Sequence, residues 1–233
     1  MGNRASQTCR MTIPVVLASA SPARAMLLRA AGVAFTVAPS SVDEDELTAS
    51  LGESAATTDI VRLLAEAKAQ AISAQTPAPA LVIGCDSMLE FEGKSYGKPG
   101  DAASAIARWQ QMRGRRGVLH TGHHVICLRN ESGAAQPRSA HEVVSTEVEF
   151  ADVSDAEIHA YVATGEPLQV AGAFTLDSLG SAFITGVTGD HANVVGLSIA
   201  ALRRLTARLD LTWTDLWSAL PETQGSAHKS AGL

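Results

Sequence analysis

Aromatic residues make up only 4% of this chain, so Leu, Val, Ile and Ala must fill the core that its 46% apolar content supports. Cysteine is scarce too. Cys9, Cys85 and Cys127 are odd in number and widely spaced. That excludes a disulfide framework and a zinc site built on paired cysteines, and it suits a reducing, cytoplasmic setting. Positive charge is outnumbered, with 18 Lys and Arg against 24 Asp and Glu, for a net charge of −6. Non-specific nucleic-acid binding needs a basic surface and is thereby excluded, whereas a nucleotide needs only a local basic pocket. No apolar run is long enough to span a membrane, and the N-terminus lacks the apolar segment of a signal peptide. Proline- or glycine-rich linkers and internal repeats are also missing. The expectation is one domain over 12–220 with two lobes around a cleft, plus a disordered N-terminal extension at 1–11 and a disordered tail at 221–233.

What is present begins with Leu17-Ala18-Ser19-Ala20-Ser21-Pro22-Ala23-Arg24. A short apolar strand at 15–18 stops at two serines and a proline, and a helical run starts at once. Ser21 suits an N-cap, Pro22 the first helical position, and Gly32 the C-terminal stop. A strand feeding a helix leaves free N–H groups at the sheet's carboxyl edge, where anions bind. With two hydroxyls and a guanidinium there, the choice is between a phosphate site and an ordinary capped helix with a surface Arg.

Further helical patterns fall at 58–73, 101–113, 155–163 and 194–209, with Ser154 and Glu157 as a capping box and Asn193 as the N-cap of the last helix. Strand-like runs fall at 35–38, 80–85, 87–91, 123–129, 142–150 and 181–184. Glu92-Gly93 reads as a hairpin turn, and 130–139 as an exposed hairpin loop. Strands mixed with helices, some strands joined as hairpins, predict an α/β fold with a mixed, partly antiparallel central sheet flanked by helices.

Several residues offer chemistry. The acidic run at 41–46, with Asp43 and Glu44, is either a divalent-cation site or a solvated loop. Asp86 ends an apolar run, where α/β folds place ligands; it is either a metal ligand or general base, or a turn between strands. Lys68 lies in a helix and Lys98 on a Gly-Lys-Pro loop, each a phosphate contact or a solvated charge. His120, His123 and His124 do not form a metal set, because adjacent strand residues face opposite ways. Ala171-Gly172-Ala173-Phe174 implies a close backbone approach to a ligand or a neighbouring strand.

Taken together these stretches resemble the Maf family of nucleoside triphosphate pyrophosphatases, from about residue 14 to 209. The resemblance rests on seven motifs in order. They are Leu17 to Arg24, Asp43-Glu44, Glu66 to Ala69, Gly84 to Asp86, Gly97 to Pro99, Gly165 to Phe174 and Asn193 to Leu197. The resemblance implies a fold like that of inosine-triphosphate pyrophosphatases, usually dimeric, with a nucleotide between two lobes. It implies hydrolysis between the α and β phosphates. Asp86 would be general base or, by turns, metal ligand. Glu44 would help hold Mg²⁺ or Mn²⁺. Ser19, Ser21, Arg24, Lys68 and Lys98 would orient the triphosphate.

Three positions depart from the family's subtypes. Ala23 stands where many members have a second Arg and a 7-methyl-GTP-specialised relative has an aromatic. Ser87 and Asp177 stand where pyrimidine-specific members have Thr and Gln. An ionised Asp177 only accepts hydrogen bonds, so it is expected to receive N–H groups from a guanine-like edge. The resemblance leaves two other functions in play: a nucleotide-binding regulator of septum formation without significant turnover, and a phosphatase that releases orthophosphate.

Overall fold

The computed structural model describes residues 13–52, 54–129 and 137–218. The expectations for 1–11 and 221–233, and most of the 130–139 loop, lie outside the described residues. In chain order the elements are β1 (Val15–Leu17), α1 (Pro22–Ala30), β2 (Thr36–Val37), α2 (Glu44–Ser50), α3 (Thr57–Ser73), β3 (Ala80–Phe91), β4 (Lys94–Tyr96), α4 (Ala102–Met112), β5 (Arg116–Leu128), β6 (Arg138–Phe150), α5 (Asp155–Ala163), β7 (Ile184–Thr188), α6 (His191–Val195) and α7 (Ile199–Arg208).

Among the described residues the strands form one mixed sheet in the order β2-β1-β3-β5-β6-β7, with β4 also on β3. β1 runs parallel to β2 and β3, and the remaining pairs are antiparallel. This is the expected α/β class. Three long strands, β3, β5 and β6, carry the structure from end to end. Side chains alternate along them. Odd positions of β3, Leu81, Ile83 and Cys85, join an aliphatic core with Leu28, Leu202 and Leu205, while even Ala80 and Val82 pack under Ala69 and Ile72 of α3. Further along the same strands, Leu89, Leu119 and Phe150 join a second core with Trp109, Ile158 and Tyr161. The scarce aromatics gather there, with Phe150, Tyr161 and Phe183 edge-on to Trp109. Separate hydrophobic clusters are thus strung along one set of strands.

Helix α3 lies unusually close to the sheet. A Cβ at Gly84 would sit 2.2 Å from the Ala65 carbonyl, and one at Gly122 2.2 Å from that of Val61. Only glycine allows this approach.

Several expectations shift. The runs at 80–85 and 87–91 are one continuous strand, β3, so Asp86 does not sit at a strand exit. The acidic run starts a helix: Asp43 caps α2 by accepting from the Glu46 N–H at 2.9 Å, and its first-turn acids favour the helix's positive end. The predicted helix at 194–209 is two helices broken at Gly196, whose φ is +127°, with Ser198 capping the second. Asn193 is therefore not an N-cap. Asp190 caps α6, and Asn193 lies inside it, fully buried. The strand expected at 181–184 starts at Ile184, because 179–183 winds into a 3₁₀ turn.

Candidate active site

The site lies at a break in the edge of the sheet. On one side β3 is paired with β5 throughout. On the other it is paired with β1 at 81–83 and with β4 at 89–91. On that side no strand among the described residues lies beside residues 84–88. Asp86 is in the middle of this break. Ligands of open α/β sheets collect where strand neighbours change, because backbone groups and side chains there face a crevice instead of a ladder.

On the α3 face of the break, Asp86 is 7% exposed. Its Oδ1 accepts from Lys68 Nζ at 2.6 Å, and the same ammonium is 2.8 Å from Glu44 Oε1. Lys68 is itself buried, on the apolar stripe Val61-Leu64-Ala65-Lys68-Ala69-Ile72 of α3. The close contact of α3 at Gly84 is what brings its Nζ to the carboxylate. Burial pushes the Asp86 carboxyl above its ordinary range, and the charges of Lys68 and then Arg24 pull the other way. Oδ2 is bonded to no described residue. Glu44, in the first turn of α2, is more than half exposed.

On the opposite face, Arg24 of α1 reaches across the break. Its Nε donates to the Gly196 carbonyl at 2.8 Å. Nη1 donates to Ser19 Oγ and to the Cys85 carbonyl, both at 3.0 Å, and Nη2 to Ser87 Oγ at 3.0 Å. The Cys85 carbonyl lies just past the end of β1 on the open edge, so the guanidinium satisfies it in place of a strand. Ser21 caps α1 through the Arg24 N–H, and its own N–H donates to Ser19 Oγ at 3.2 Å. Ser87 Oγ is also 2.9 Å from Thr121 Oγ1, which donates to the Asn193 carbonyl at 3.0 Å.

The remaining expected residues are not drawn into this network. Lys98 is exposed on the loop after β4, whose Gly97 carbonyl accepts from Arg108 at 2.6 Å and from the Gly172 N–H at 3.2 Å. Ala23 is half-buried beside Arg24, and Asp177 is exposed on the loop before the 3₁₀ turn. Gly172 approaches a strand: a Cβ there would sit 2.9 Å from Leu89 Cβ of β3. His123 Nε2 accepts from the Ser198 N–H at 2.9 Å, and burial, reinforced by Arg24, holds its pKa down to about 4. Among the described residues no group of three or more His, Cys, Asp and Glu is arranged to hold a metal.

The family model described as Maf-like protein matches residues 14–209. This chain belongs to that family. Among its relatives is a protein of Salinispora tropica, 49% identical over 95% of each chain. Another, from Thermosynechococcus vestitus, is 50% identical over 88% of this chain and 98% of its own. A third, from Streptomyces coelicolor, is 50% identical over 88% of this chain and 94% of its own. All three bear the name nucleoside triphosphate pyrophosphatase. A solved HAM1 protein of Coxiella burnetii superposes with a TM-score of 0.35 at 18% identity, over 60% of this chain and 74% of its own, which is too distant to carry an argument.

Five of the Maf motifs thus meet at one break in the sheet: Ser19 to Arg24, Glu44, Lys68, Asp86 and the Asn193 to Leu197 turn. A buried carboxylate with one free oxygen, a buried ammonium and a hydroxyl-lined turn make a place for an anion and a proton acceptor together. A sixth motif does something the sequence did not show. Glu166, of Gly165-Glu166-Pro167, accepts from Tyr161 and Thr175 hydroxyls and the Gly180 N–H on Oε1, and from Ser178 Oγ and the Leu179 N–H on Oε2. It folds the 166–180 segment, Asp177 included, around one carboxylate. A Glu beside a turn Gly and Pro was the only signal of it in the sequence.

Proposed function

We propose that this chain is a metal-dependent nucleoside triphosphate pyrophosphatase, cleaving the α–β phosphoanhydride to give nucleoside monophosphate and pyrophosphate. The observation that carries this reading is the Glu44–Lys68–Asp86 cluster, placed at the break in the sheet beside the Ser19–Ser21 turn. The names of the relatives support it. In this reading the triphosphate lies along the break. Ser19 and Ser21 meet it at the turn, Lys68 from α3 and Lys98 from the loop after β4, with Arg24 behind the serines. The open Oδ2 of Asp86 accepts a proton from a water, which attacks phosphorus, and the anhydride oxygen leaves with pyrophosphate. Burial raises the Asp86 carboxyl, which favours its taking up a proton, and the Lys68 ammonium opposes that rise by favouring the ionised form.

Glu44 and Asp86 fit Mg²⁺ or Mn²⁺: they are hard oxygen donors, and two carboxylates with phosphate oxygens and water complete such a site. When bound, the cation supplies charge neutralisation on the phosphate oxygens. We assign base selection to the surroundings of Ala23, Ser87 and Asp177, with non-canonical triphosphates as the substrates to be removed. We take the protein to work as a homodimer in the cytoplasm. No helix among the described residues is long and apolar enough to cross a membrane.

The test is product analysis. The protein is incubated with canonical and modified nucleoside triphosphates and Mg²⁺ or Mn²⁺, with and without chelator. Equimolar monophosphate and pyrophosphate, abolished by chelation, is the expected result. Orthophosphate with diphosphate would show a phosphatase instead, and tight binding without turnover a regulator.

A further inference from the structure

Arg24 is the residue a phosphate-binding reading most readily offers to the substrate, yet four of its five donors are already committed. A guanidinium has five N–H groups. One on Nε, two on Nη1 and one on Nη2 are bonded to Gly196 O, Ser19 Oγ, Cys85 O and Ser87 Oγ. These acceptors come from the α6–α7 turn, the β1–α1 turn and β3, so the guanidinium holds three separate segments together. A fork bound in this way has no pair of parallel N–H groups left for bidentate phosphate recognition.

The bonds it makes also set proton directions. Carbonyls only accept, so the Thr121 hydroxyl proton goes to the Asn193 carbonyl. Thr121 Oγ1 must then accept from the Ser87 hydroxyl, and Ser87 accepts from Arg24. At Ser19 the outcome is opposite. Its Oγ accepts twice, from Arg24 Nη1 at 3.0 Å and from the Ser21 N–H at 3.2 Å. Both lone pairs are taken, and the hydroxyl proton is left to donate away from the guanidinium. Ser19 is 8% exposed.

We infer that Arg24 is a positioning residue, which fixes the Ser19 hydroxyl as a donor to a phosphate oxygen and does not itself ligate the phosphates. The inference rests on the triphosphate reading of the site.

It is tested with Ser19→Ala, Arg24→Lys and the double variant, at a temperature where circular dichroism shows each one folded. Ser19→Ala is expected to lower kcat about 10- to 100-fold, the scale of one hydrogen bond to a charged group. Arg24→Lys is expected to lower kcat with KM and its salt dependence little changed, and the double variant to be no worse than the worse single. Losses that multiply, or a KM for Arg24→Lys that rises and loses its salt dependence, would overturn the inference, because a direct cation–phosphate contact behaves that way. Wild-type kinetics in Arg24→Lys would overturn it as well.

Where Arg24→Lys does not fold, the wild type is titrated with inorganic tripolyphosphate and followed by ¹⁵N-resolved NMR. Ser19 and Ser21 amide signals that move while the Arg24 Nε signal stays in place support the inference. An Arg24 Nε signal that moves with them, or Ser19 and Ser21 signals that do not move, contradict it. This arm needs no turnover, so it separates failure of the inference from failure of the pyrophosphatase reading.

Discussion

Replacing Glu166 by Gln removes the acceptor around which residues 161–180 are folded. Burial alone would raise this carboxyl, but the donors Thr175, Gly180, Ser178 and Tyr161 outweigh it and hold it at about 2, against 4.5 for the free group. At about 1.4 kcal/mol per tenfold change in proton affinity, that is about 3 kcal/mol; partial exposure reduces it to about 2 kcal/mol. A Gln amide also turns two N–H donors toward Ser178 Oγ and the Leu179 N–H, and the latter cannot accept. For a chain of this size the expected fall in Tm at pH 7 is about 4 to 8 °C. The sign of the pH dependence is fixed. A depressed folded-state pKa contributes stability that is complete above the unfolded value of 4.5 and is lost as pH falls through about 2. Urea unfolding of wild type and Glu166→Gln from pH 7 to pH 3 is the assay. The gap between them is expected to shrink to under about half at pH 3. A gap that holds constant with pH, or no gap at all, would refute the claim that this carboxylate organises the segment.

Other expectations concern the site. Lys68→Met removes the largest opposing charge on Asp86, so its carboxyl rises further; the acid limb of the kcat/KM profile should move to higher pH, and a limb that stays put would exclude Asp86 as the ionising base. Gly84→Ala drives a methyl into the Ala65 carbonyl. Overpacking of this kind costs about 1 to 3 kcal/mol, and by moving α3 it should also lower kcat, seen as a reduced Tm together with slower turnover. Asp177→Asn should shift the ranking of bases in a substrate panel away from guanine-like purines, and an unchanged ranking would remove Asp177 as selector.

How far the sequence carried the reading depended on the range of each interaction. Local signals read well: Ser21 and Pro22 start α1, and Ser154 with Glu157 forms the capping box of α5, with the Glu157 N–H 3.3 Å from Ser154 Oγ. The Glu92-Gly93 turn does close the β3–β4 hairpin. Asp86 misled, because Gly84 and Asp86 interrupt an apolar run in the way a turn does. In the fold they are even positions of one strand, one pressed by α3 and the other facing the break, and only the neighbouring strands show that. Lys68 was legible in principle: it stands on the apolar stripe of α3, where a solvated Lys does not belong. The Arg24 network and the Glu166 hub join residues far apart in the chain, from 24 to 196 and from 166 to 180, and no local pattern encodes those closures.

In the proposed reaction, Asp86 at the break in the sheet activates the water that cleaves a bound triphosphate. Asp86→Asn tests it most directly, with turnover and equilibrium binding of an α,β-methylene triphosphate measured on the same preparation. The variant is expected still to bind the analogue while release of monophosphate and pyrophosphate falls by about 10²-fold or more. Turnover within a few-fold of wild type by a folded, nucleotide-binding Asp86→Asn would contradict it.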